Sequence, residues 1–452
     1  MRVIVVGLGK IGTTIVESLV GEGHDVVAVD RDAKAVAEIT NEYDVMAVCG
    51  NGADVEPLEE AGVSKTELLI AVTDSDEMNM LSCFMAKKLG ARHTIARIRN
   101  PEYNDRSLGF MKQQLELSMA INPELLAAEE LFKLLKFPSA LKVDTFSRRS
   151  YEMIELRLKP ESALSGLSLK DLRQHYQAKF LVCVVQRGEQ VFIPGGNFVL
   201  ESGDKIGIAA TPAEIHKLLR ELGVLQRQAR NVMILGGRGT TYYLAQLLTN
   251  SGNSVKIIEA DRTVCRELCD SVPKAVVIHG DGAQQDLLME EGISEQDAFV
   301  ALTETDENNI LLSIFASTQN IPKVIARVDR DEMADLSEKL GLDCTVSPRK
   351  IIADILIKYA RALENSLASS KVETLYKLMD DKAEALEFIA GSDLPFLGVC
   401  LKDLAVKPGI LIAGIIRDRK PIIPSGNDFI QAGDRVVVIA ANQRLQDLAE
   451  IV

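Results

Sequence analysis

Residues 2–30, RVIVVGLGKIGTTIVESLVGEGHDVVAVD, decide the fold of this chain. A short apolar run at 3–6 leads straight into Gly7-Leu8-Gly9-Lys10-Ile11-Gly12, a helical pattern follows, and a second apolar run ends at Asp30. Strand, glycine-rich turn, helix and acid-terminated strand are the parts of a dinucleotide-binding βαβ unit. Gly7 permits the tight turn, Gly9 lets the backbone approach a pyrophosphate, Gly12 lets the helix pack on the sheet, and the helix N-terminus offers unpaired N–H groups to an anion. Asp30 suits a ribose 2′-OH and repels a 2′-phosphate, which favours NAD(H) or an adenine mononucleotide over NADP(H); adjacent Arg31 weakens that exclusion.

Working outward, the same phrase returns. Residues 231–259, NVMILGGRGTTYYLAQLLTNSGNSVKIIE, align with it at a spacing of 229 from Gly7 to Gly236, and the register then gains one residue. At 230, AVTDSDE (71–77) matches ALTETDE (301–307), Ala96-Arg97 matches Ala326-Arg327, IPGGNF (193–198) matches IPSGND (423–428), and Gly203-Asp204 matches Gly433-Asp434. The chain is a duplication whose halves each hold two unlike modules.

In each half, short and nearly continuous apolar runs alternate with helical patterns, as expected for strands buried on both faces of a parallel sheet. The runs fall at 3–6, 26–29, 45–48, 68–72, 94–98 and 117–121, and again at 232–235, 255–258, 275–278, 298–302, 324–328 and 344–346. Each copy is therefore predicted to be a six-strand, doubly wound α/β unit. An amphipathic helix opens after it at Pro123 or Pro348, where proline suits a first helical turn. Its apolar face, Leu125, Leu126, Phe132 and Leu135 or Ile351, Ile352, Ile355 and Leu356, either joins two modules or dimerises. A small β-rich α+β module with one terminal helix completes each half. The predicted boundaries are 1–122, 123–141 and 142–226, then 230–347, 348–370 and 371–452.

A net charge of −14 argues against a nucleic-acid partner, because no positive stripe is available for phosphate backbones. No apolar run approaches the ~20 residues that cross a bilayer, and 410–416 is stopped by Arg417 and Asp418. Direct membrane insertion is not expected, and a strand pattern opening at the amino terminus leaves no room for a secretory leader, so a cytosolic protein is expected. Seven cysteines stand without a CxxC pair, and the five histidines form no metal-spaced cluster, so no metal site is expected. The small modules carry no paired carboxylates and no Ser/His/Asp or Cys/His set at suggestive spacing, so no catalytic residue is assigned.

The second fingerprint departs from the first. In Gly236-Gly237-Arg238-Gly239-Thr240-Thr241, Arg238 stands where Gly9 does and Thr241 where Gly12 does, while Glu259 keeps the ribose position. Either this crevice binds a nucleotide with altered preference, Arg238 engaging phosphate, or it has lost binding. Two further loops lie at carboxyl ends of strands, where open α/β sheets bind ligands: Asn51-Gly52 with Asp281-Gly282, and Thr73-Asp74 with Thr303-Glu304. Turn chemistry alone accounts for the glycines; their place beside the fingerprint favours nucleotide contact. His279 either stacks on a base or packs at a strand end. Arg97, Arg99 and Arg327 end the fifth strands and are candidate phosphate contacts.

The order of GLGKIG, VD at 29–30, GNGAD at 50–54, AVTDSDEMN at 71–79 and ARIRNPEY at 96–103 resembles the domain that regulates conductance of K⁺, the RCK or KTN domain. The IPGGNF and SGD phrases resemble its small companion module. Two such pairs in one chain resemble the cytosolic regulatory subunits of bacterial Trk potassium-uptake systems. The resemblance implies binding of NAD(H) or ATP/ADP without turnover, a tetramer, peripheral attachment to the inner face of the membrane, and a TrkH-like or TrkG-like potassium-translocating partner. It places Gly7 to Ile11, Asp30, Thr73, Asp74 and Arg97 in a first site, and Gly236 to Thr240, Glu259, Thr303, Glu304 and Arg327 in a second. Two alternatives share the fingerprint: an NAD-dependent dehydrogenase, whose partner domain must present proton-transfer and substrate-anchoring groups, and a sensor for another transporter such as an antiporter.

Overall fold

The computed structural model describes residues 1–103, 105–147, 150–223, 228–364 and 371–452; the far ends of the helix predicted for 348–370 and of the module predicted for 142–226 lie outside these. The first α/β module has strands β1 (Arg2–Val6), β2 (Asp25–Asp30), β3 (Met46–Cys49), β4 (Leu68–Ala71), β5 (His93–Arg97) and β6 (Met119–Ile121). Its helices are α1 (Lys10–Gly21), α2 (Ala33–Glu42), α3 (Val55–Glu60), α4 (Asp76–Lys88), α5 (Asp105–Gln114) and α6 (Pro123–Lys136). The strands pair in the order β3-β2-β1-β4-β5-β6, all parallel. Order reverses between β1 and β4, so the glycine turn after β1 opens into a topological switch point. The β1 residues Val3 to Val6 and all of β4 are buried, as central strands covered on both faces must be.

The first small module is an antiparallel sheet, β10-β9-β11-β8-β7, of β7 (Lys142–Phe146), β8 (Tyr151–Arg157), β9 (Leu181–Arg187), β10 (Gln190–Phe192) and β11 (Lys205–Ala210), with α7 (Leu169–His175) and α8 (Pro212–Glu221). The second α/β module repeats the first with β12 (Asn231–Leu235), β13 (Ser254–Glu259), β14 (Val276–His279), β15 (Ala298–Ala301), β16 (Lys323–Arg327) and β17 (Thr345–Val346). Its helices are α9 (Thr240–Asn250), α10 (Arg262–Ser271), α11 (Gln285–Glu290), α12 (Asp306–Thr318), α13 (Asp331–Lys339) and α14 (Pro348–Glu364). The second small sheet has β18 (Lys371–Leu378), β19 (Ala383–Ile389), β20 (Ile410–Arg417), β21 (Lys420–Ile422) and β22 (Arg435–Ala441).

Three expectations are corrected. Several apolar runs start ahead of their strands: β3 begins at Met46 rather than 45 and β6 at Met119 rather than 117, and in the second copy those at 276 and 345 begin one residue late. The buried face of the proline-opened helices is rotated: α6 buries Ala127, Ala128, Leu131, Leu134 and Leu135, and α14 buries Ile352, Ala353, Leu356 and Ile357, whereas Leu125, Leu126 and Ile351 are only partly covered. The terminal helix exists in the first small module alone. There Thr211 caps Glu214 N–H and Pro212 opens α8; in the second copy Ala441 and Asn442 take those places, Asn442 has φ 56°, and the chain makes only a 3₁₀ turn over Leu448–Ile451.

Like modules gather with like. One compact unit joins Met1–Phe132 to Arg230–Ala360, and the other joins Lys133–Ala229 to Arg361–Val452. In the second unit the two small sheets share an apolar core that includes Phe146, Tyr151, Cys183, Leu378, Ala413 and Val437. Tyr151 inserts far enough to donate its hydroxyl to Ala413 O at 2.6 Å, and a β-carbon on Gly414 would stand 2.7 Å from its ring. The acids of the SGD phrases are buried anchors: Asp204 accepts both guanidinium arms of Arg187, and Asp434 those of Arg417. These residues hold turns rather than ligands.

Candidate functional site

In the first crevice each fingerprint glycine has a separate reason. Gly7 has φ 97°, and a β-carbon there would lie 2.8 Å from Thr73 N. At Gly12 a β-carbon would fall 1.8 Å from Gly7 O, so helix α1 can press on the turn only without one. Gly9, at the N-cap of α1, faces nothing within 4 Å. Two glycines are thus demanded by packing, while the third fronts open space at the helix N-terminus. Asp30 ties the turn, accepting Leu8 N–H at 2.6 Å and Asp32 N–H at 2.9 Å, and Arg31 is exposed beside it.

The other loops surround this point. Gly52 is required by packing, because a β-carbon would stand 2.1 Å from Val6 Cγ1; Asn51 closes its own turn by accepting Ala53 N–H. Asp281 does the same for Ala283 N–H in the second copy. Thr73 is fixed by a residue that sequence reasoning passed over. Asn79, fully buried on α4, accepts from Thr73 N and Oγ1 and donates to Thr73 O and Arg97 O. Asn309 makes the same four bonds with Thr303 and Arg327. The signal was present, since both asparagines stand six residues after the threonine at the repeat spacing. Asp76 and Asp306 likewise bind backbone N–H groups just after the fifth strands.

The arginines converge. A cavity of about 440 Å³ opens between the two α/β copies, with Gly9, Lys10 and Ile11 on one side and Thr240 on the other. Its cations are Lys10, Arg97, Arg99, Arg327 and Arg349, against only Asp74 and Glu124. Arg97 is buried; it donates to Thr73 O and, at 3.4 Å, to Asp74, while its Nε has no partner among the described residues. Burial, and then the neighbouring Arg99 charge, hold its guanidinium below the ordinary value. A shallower depression of about 630 Å³ at Arg106, Ser107, Phe110 and Met111 contains none of the fingerprint residues.

Each proline-opened helix reaches the opposite copy. Asn122, before α6, donates to Tyr243 Oη at 2.8 Å on α9, and Tyr243 donates to Arg99 O at 2.9 Å. Tyr359 of α14 stands edge-on to His93 of β5. The dimer-like packing open to these helices is realised inside one chain. Positions 99 and 329 are equivalent in the repeat, as are 124 and 349, and polarity is exchanged at both: Arg99 and Glu124 in the first copy, Asp329 and Arg349 in the second. Arg349 reaches Asp329 at 3.5 Å and lines the cavity with the first glycine turn. Glu124 packs against the second turn, its Cγ 2.7 Å from where a Gly239 β-carbon would be.

Glu124 Oε2 is buried with no partner among the described residues, and burial raises the carboxyl above its usual range despite its own amide and Arg99. A raised folded value means stability present below the unfolded value and lost as pH rises through the folded one. Glu124→Gln is therefore expected to melt higher than the parent at pH 7–8, with the gap closing as pH falls toward about 4.5. Melting curves across that range decide it; a pH-independent difference sinks the assignment.

The second crevice is built differently. Helix α9 starts one residue late in the repeat, Gly239 caps it at φ 34°, and Thr241 Oγ1 donates to Gly236 O at 2.6 Å. Glu259 accepts Gly237 N–H at 2.5 Å, and a β-carbon on Gly237 would lie 2.9 Å from Glu259 Cγ. Arg238 reaches Glu304 at 3.3 Å and Asp261 at 4.0 Å. His279 donates from Nε2 to Ala260 O at 3.0 Å at its strand end. Among the sequence-predicted residues, Gly9, Lys10, Ile11, Asp74, Arg97, Arg99, Thr240 and Arg327 meet in the shared cavity; Asp30, Asn51, Glu259, His279 and Asp281 are not in its lining.

Two parallel-sheet Rossmann copies, each followed by a small antiparallel module, define a tandem RCK-type chain. The TrkA-N domain family matches residues 3–123 and 232–348, and the TrkA-C domain family matches 153–223 and 385–452. The Trk system potassium uptake protein TrkA homolog of Archaeoglobus fulgidus is 31% identical over the whole of both chains. The Trk system potassium uptake protein TrkA of Vibrio alginolyticus is 30% identical over 98% of this chain and 96% of its own. The chain belongs to the TrkA family. Among solved structures, the GsuK RCK domain aligns with TM-score 0.64 at 18% identity, covering 97% of this chain and 92% of that one. The GsuK channel bound to NAD aligns with TM-score 0.64 at 17% identity over 97% of this chain and 76% of that one, a likeness of fold. Family membership sets aside the dehydrogenase alternative, since full-length relatives are potassium uptake proteins.

Proposed function

We propose that this chain is the regulatory subunit of a Trk-type potassium-uptake system and reads the cell's adenine nucleotides, NAD(H) or ATP/ADP, in its first crevice. The observation that carries the reading is the open face of Gly9 at a helix N-terminus, set in a cavity where five cations face two carboxylates. Phosphates fit that surplus, through unpaired N–H groups of α1 and through Arg97, whose Nε is unpartnered among the described residues. No helix among the described residues is long and apolar enough to cross a membrane. In this reading the ion path belongs to a TrkH-like or TrkG-like partner, with this subunit on its cytoplasmic side. A nucleotide shifts such a partner only as far as its affinity differs between two shapes of the subunit; moving 1:99 to 99:1 takes about 10⁴-fold. Calorimetric titration of the full chain with NADH and with ATP is expected to give binding without turnover. Absence of heat with both would remove the sensor reading.

Self-association into a tetramer is part of the same proposal. Leu81 on α4 and Phe110 on α5 are 47% and 64% exposed; in the second copy Leu311, the equivalent of Leu81, is 64% exposed on α12, and Leu336 is 45% exposed on α13. Both helices cover one sheet face, because β4-α4-β5 and β5-α5-β6 are successive crossovers in one direction. Each chain therefore offers two equivalent apolar faces, enough for copies to join in a closed ring. Leu81→Glu with Leu311→Glu is expected to lower the mass in light scattering toward the 49.4 kDa of one chain. An unchanged mass would reject this surface.

A further inference from the structure

We infer that the second crevice is closed by the chain's own side chains, so that each chain takes one nucleotide, at the first crevice only. The inference rests on the nucleotide reading above and deepens it. Three independent features fill the space that the first crevice leaves open. Arg238, in the place of Gly9, extends to Glu304 and to Asp261, which correspond in the repeat to Asp74 and Asp32. Its guanidinium thus reaches both the loop after the second strand and the loop after the fourth. Thr241, in the place of Gly12, is fully buried with its hydroxyl on Gly236 O, and its N–H is taken by Arg238 O at 2.9 Å. The backbone there has closed on itself rather than facing outward.

The third feature is electrostatic. A helix N-terminus favours one negative group, and at α9 that group is Glu124, delivered from the first copy and packed on Gly239. A phosphate at the same point would meet a carboxylate with no hydrogen-bond partner for its Oε2 among the described residues. At the first crevice the cavity instead brings Arg349, a cation, into the lining shared with Gly9 and Lys10. The exchange of polarity at positions 124 and 349 thus makes the two ends of one cavity unlike, one receptive to phosphate and one already supplied with a negative charge.

The test uses the full chain. Titration with NADH and, separately, ATP is expected to give one equivalent per chain, weakened at least tenfold by Gly9→Ala. Hydrogen exchange on the parent chain supplies a readout that needs no variant: nucleotide should slow exchange in the segment holding residues 7–13 and leave the segment holding 236–242 unchanged. Two equivalents, one equivalent at parental affinity in Gly9→Ala, or protection at 236–242 would each overturn the closure while keeping the nucleotide reading. No binding at all would overturn both.

Discussion

Replacing Gly9 with alanine is expected to leave the protein at least as stable as the parent and to weaken nucleotide binding by tenfold or more, whereas Gly12→Ala loses stability and binding together. Gly9 sits at φ −67° and ψ −179°, a conformation alanine adopts freely, and its β-carbon would meet nothing within 4 Å. Alanine there restricts the unfolded chain, which stabilises by about 0.4–1 kcal/mol. The added methyl then occupies the space in which a pyrophosphate would approach the backbone, and a loss of about 1.4 kcal/mol in binding is tenfold in affinity. At Gly12 the β-carbon would lie 1.8 Å from Gly7 O, so turn and helix must separate, at an overpacking cost of about 1–3 kcal/mol or more. Melting temperatures and NADH titrations on both variants check the opposite signs. Parental affinity in Gly9→Ala would disconnect the open face of that glycine from any ligand.

Asn79→Ala is expected to destabilise the α/β unit by about 3 kcal/mol or more, lowering its melting temperature by roughly 6–12 °C. Asn79 is fully buried, and its amide is the shared partner of Thr73 N, Thr73 Oγ1, Thr73 O and Arg97 O. Removing it strands the buried Arg97 O and three part-buried Thr73 groups, the buried one at about 1–3 kcal/mol and the others at the low end of that range, and no neighbouring side chain takes its place in this hydrogen-bond set. Because Thr73 and Arg97 sit at the strand ends that frame the crevice, nucleotide affinity should fall with stability. Asn309→Ala should match the loss of stability, since Asn309 makes the same four bonds, and should weaken nucleotide binding less than Asn79→Ala, because Arg327 is the one residue it holds that lines the shared cavity. A fall of under 2 °C by calorimetry for Asn79→Ala would show the network to be redundant.

Much of the molecule was legible along the chain. The apolar runs and glycine turns announced twelve parallel strands in two copies, and all twelve pair in parallel, in the same order in both copies. Strands buried on both faces leave a continuous apolar signature, and a βαβ turn confines its glycines to a few adjacent positions. The reason for each glycine was not legible. Gly9 and Gly12 look equivalent as letters, yet one faces open space and the other a carbonyl oxygen. The terminal helix of the second small module was misread because a repeat suggests equal ends, and the loss of Thr211 and Pro212 equivalents at Ala441 and Asn442 outweighed the pattern.

Module type, order, duplication and the chemistry of the first glycine turn were determined by the sequence itself, because each depends on residues within one or two turns of backbone. Only the tertiary structure decided that like modules pair across the repeat, that α6 and α14 each serve the opposite copy, and that Glu124 meets the second turn while Arg349 joins the first. Those contacts join residues far apart in the chain, 121 positions for Asn122 and Tyr243, and no local periodicity records them. They depend on which buried faces match once both sheets have formed, which is a property of shape and charge in three dimensions.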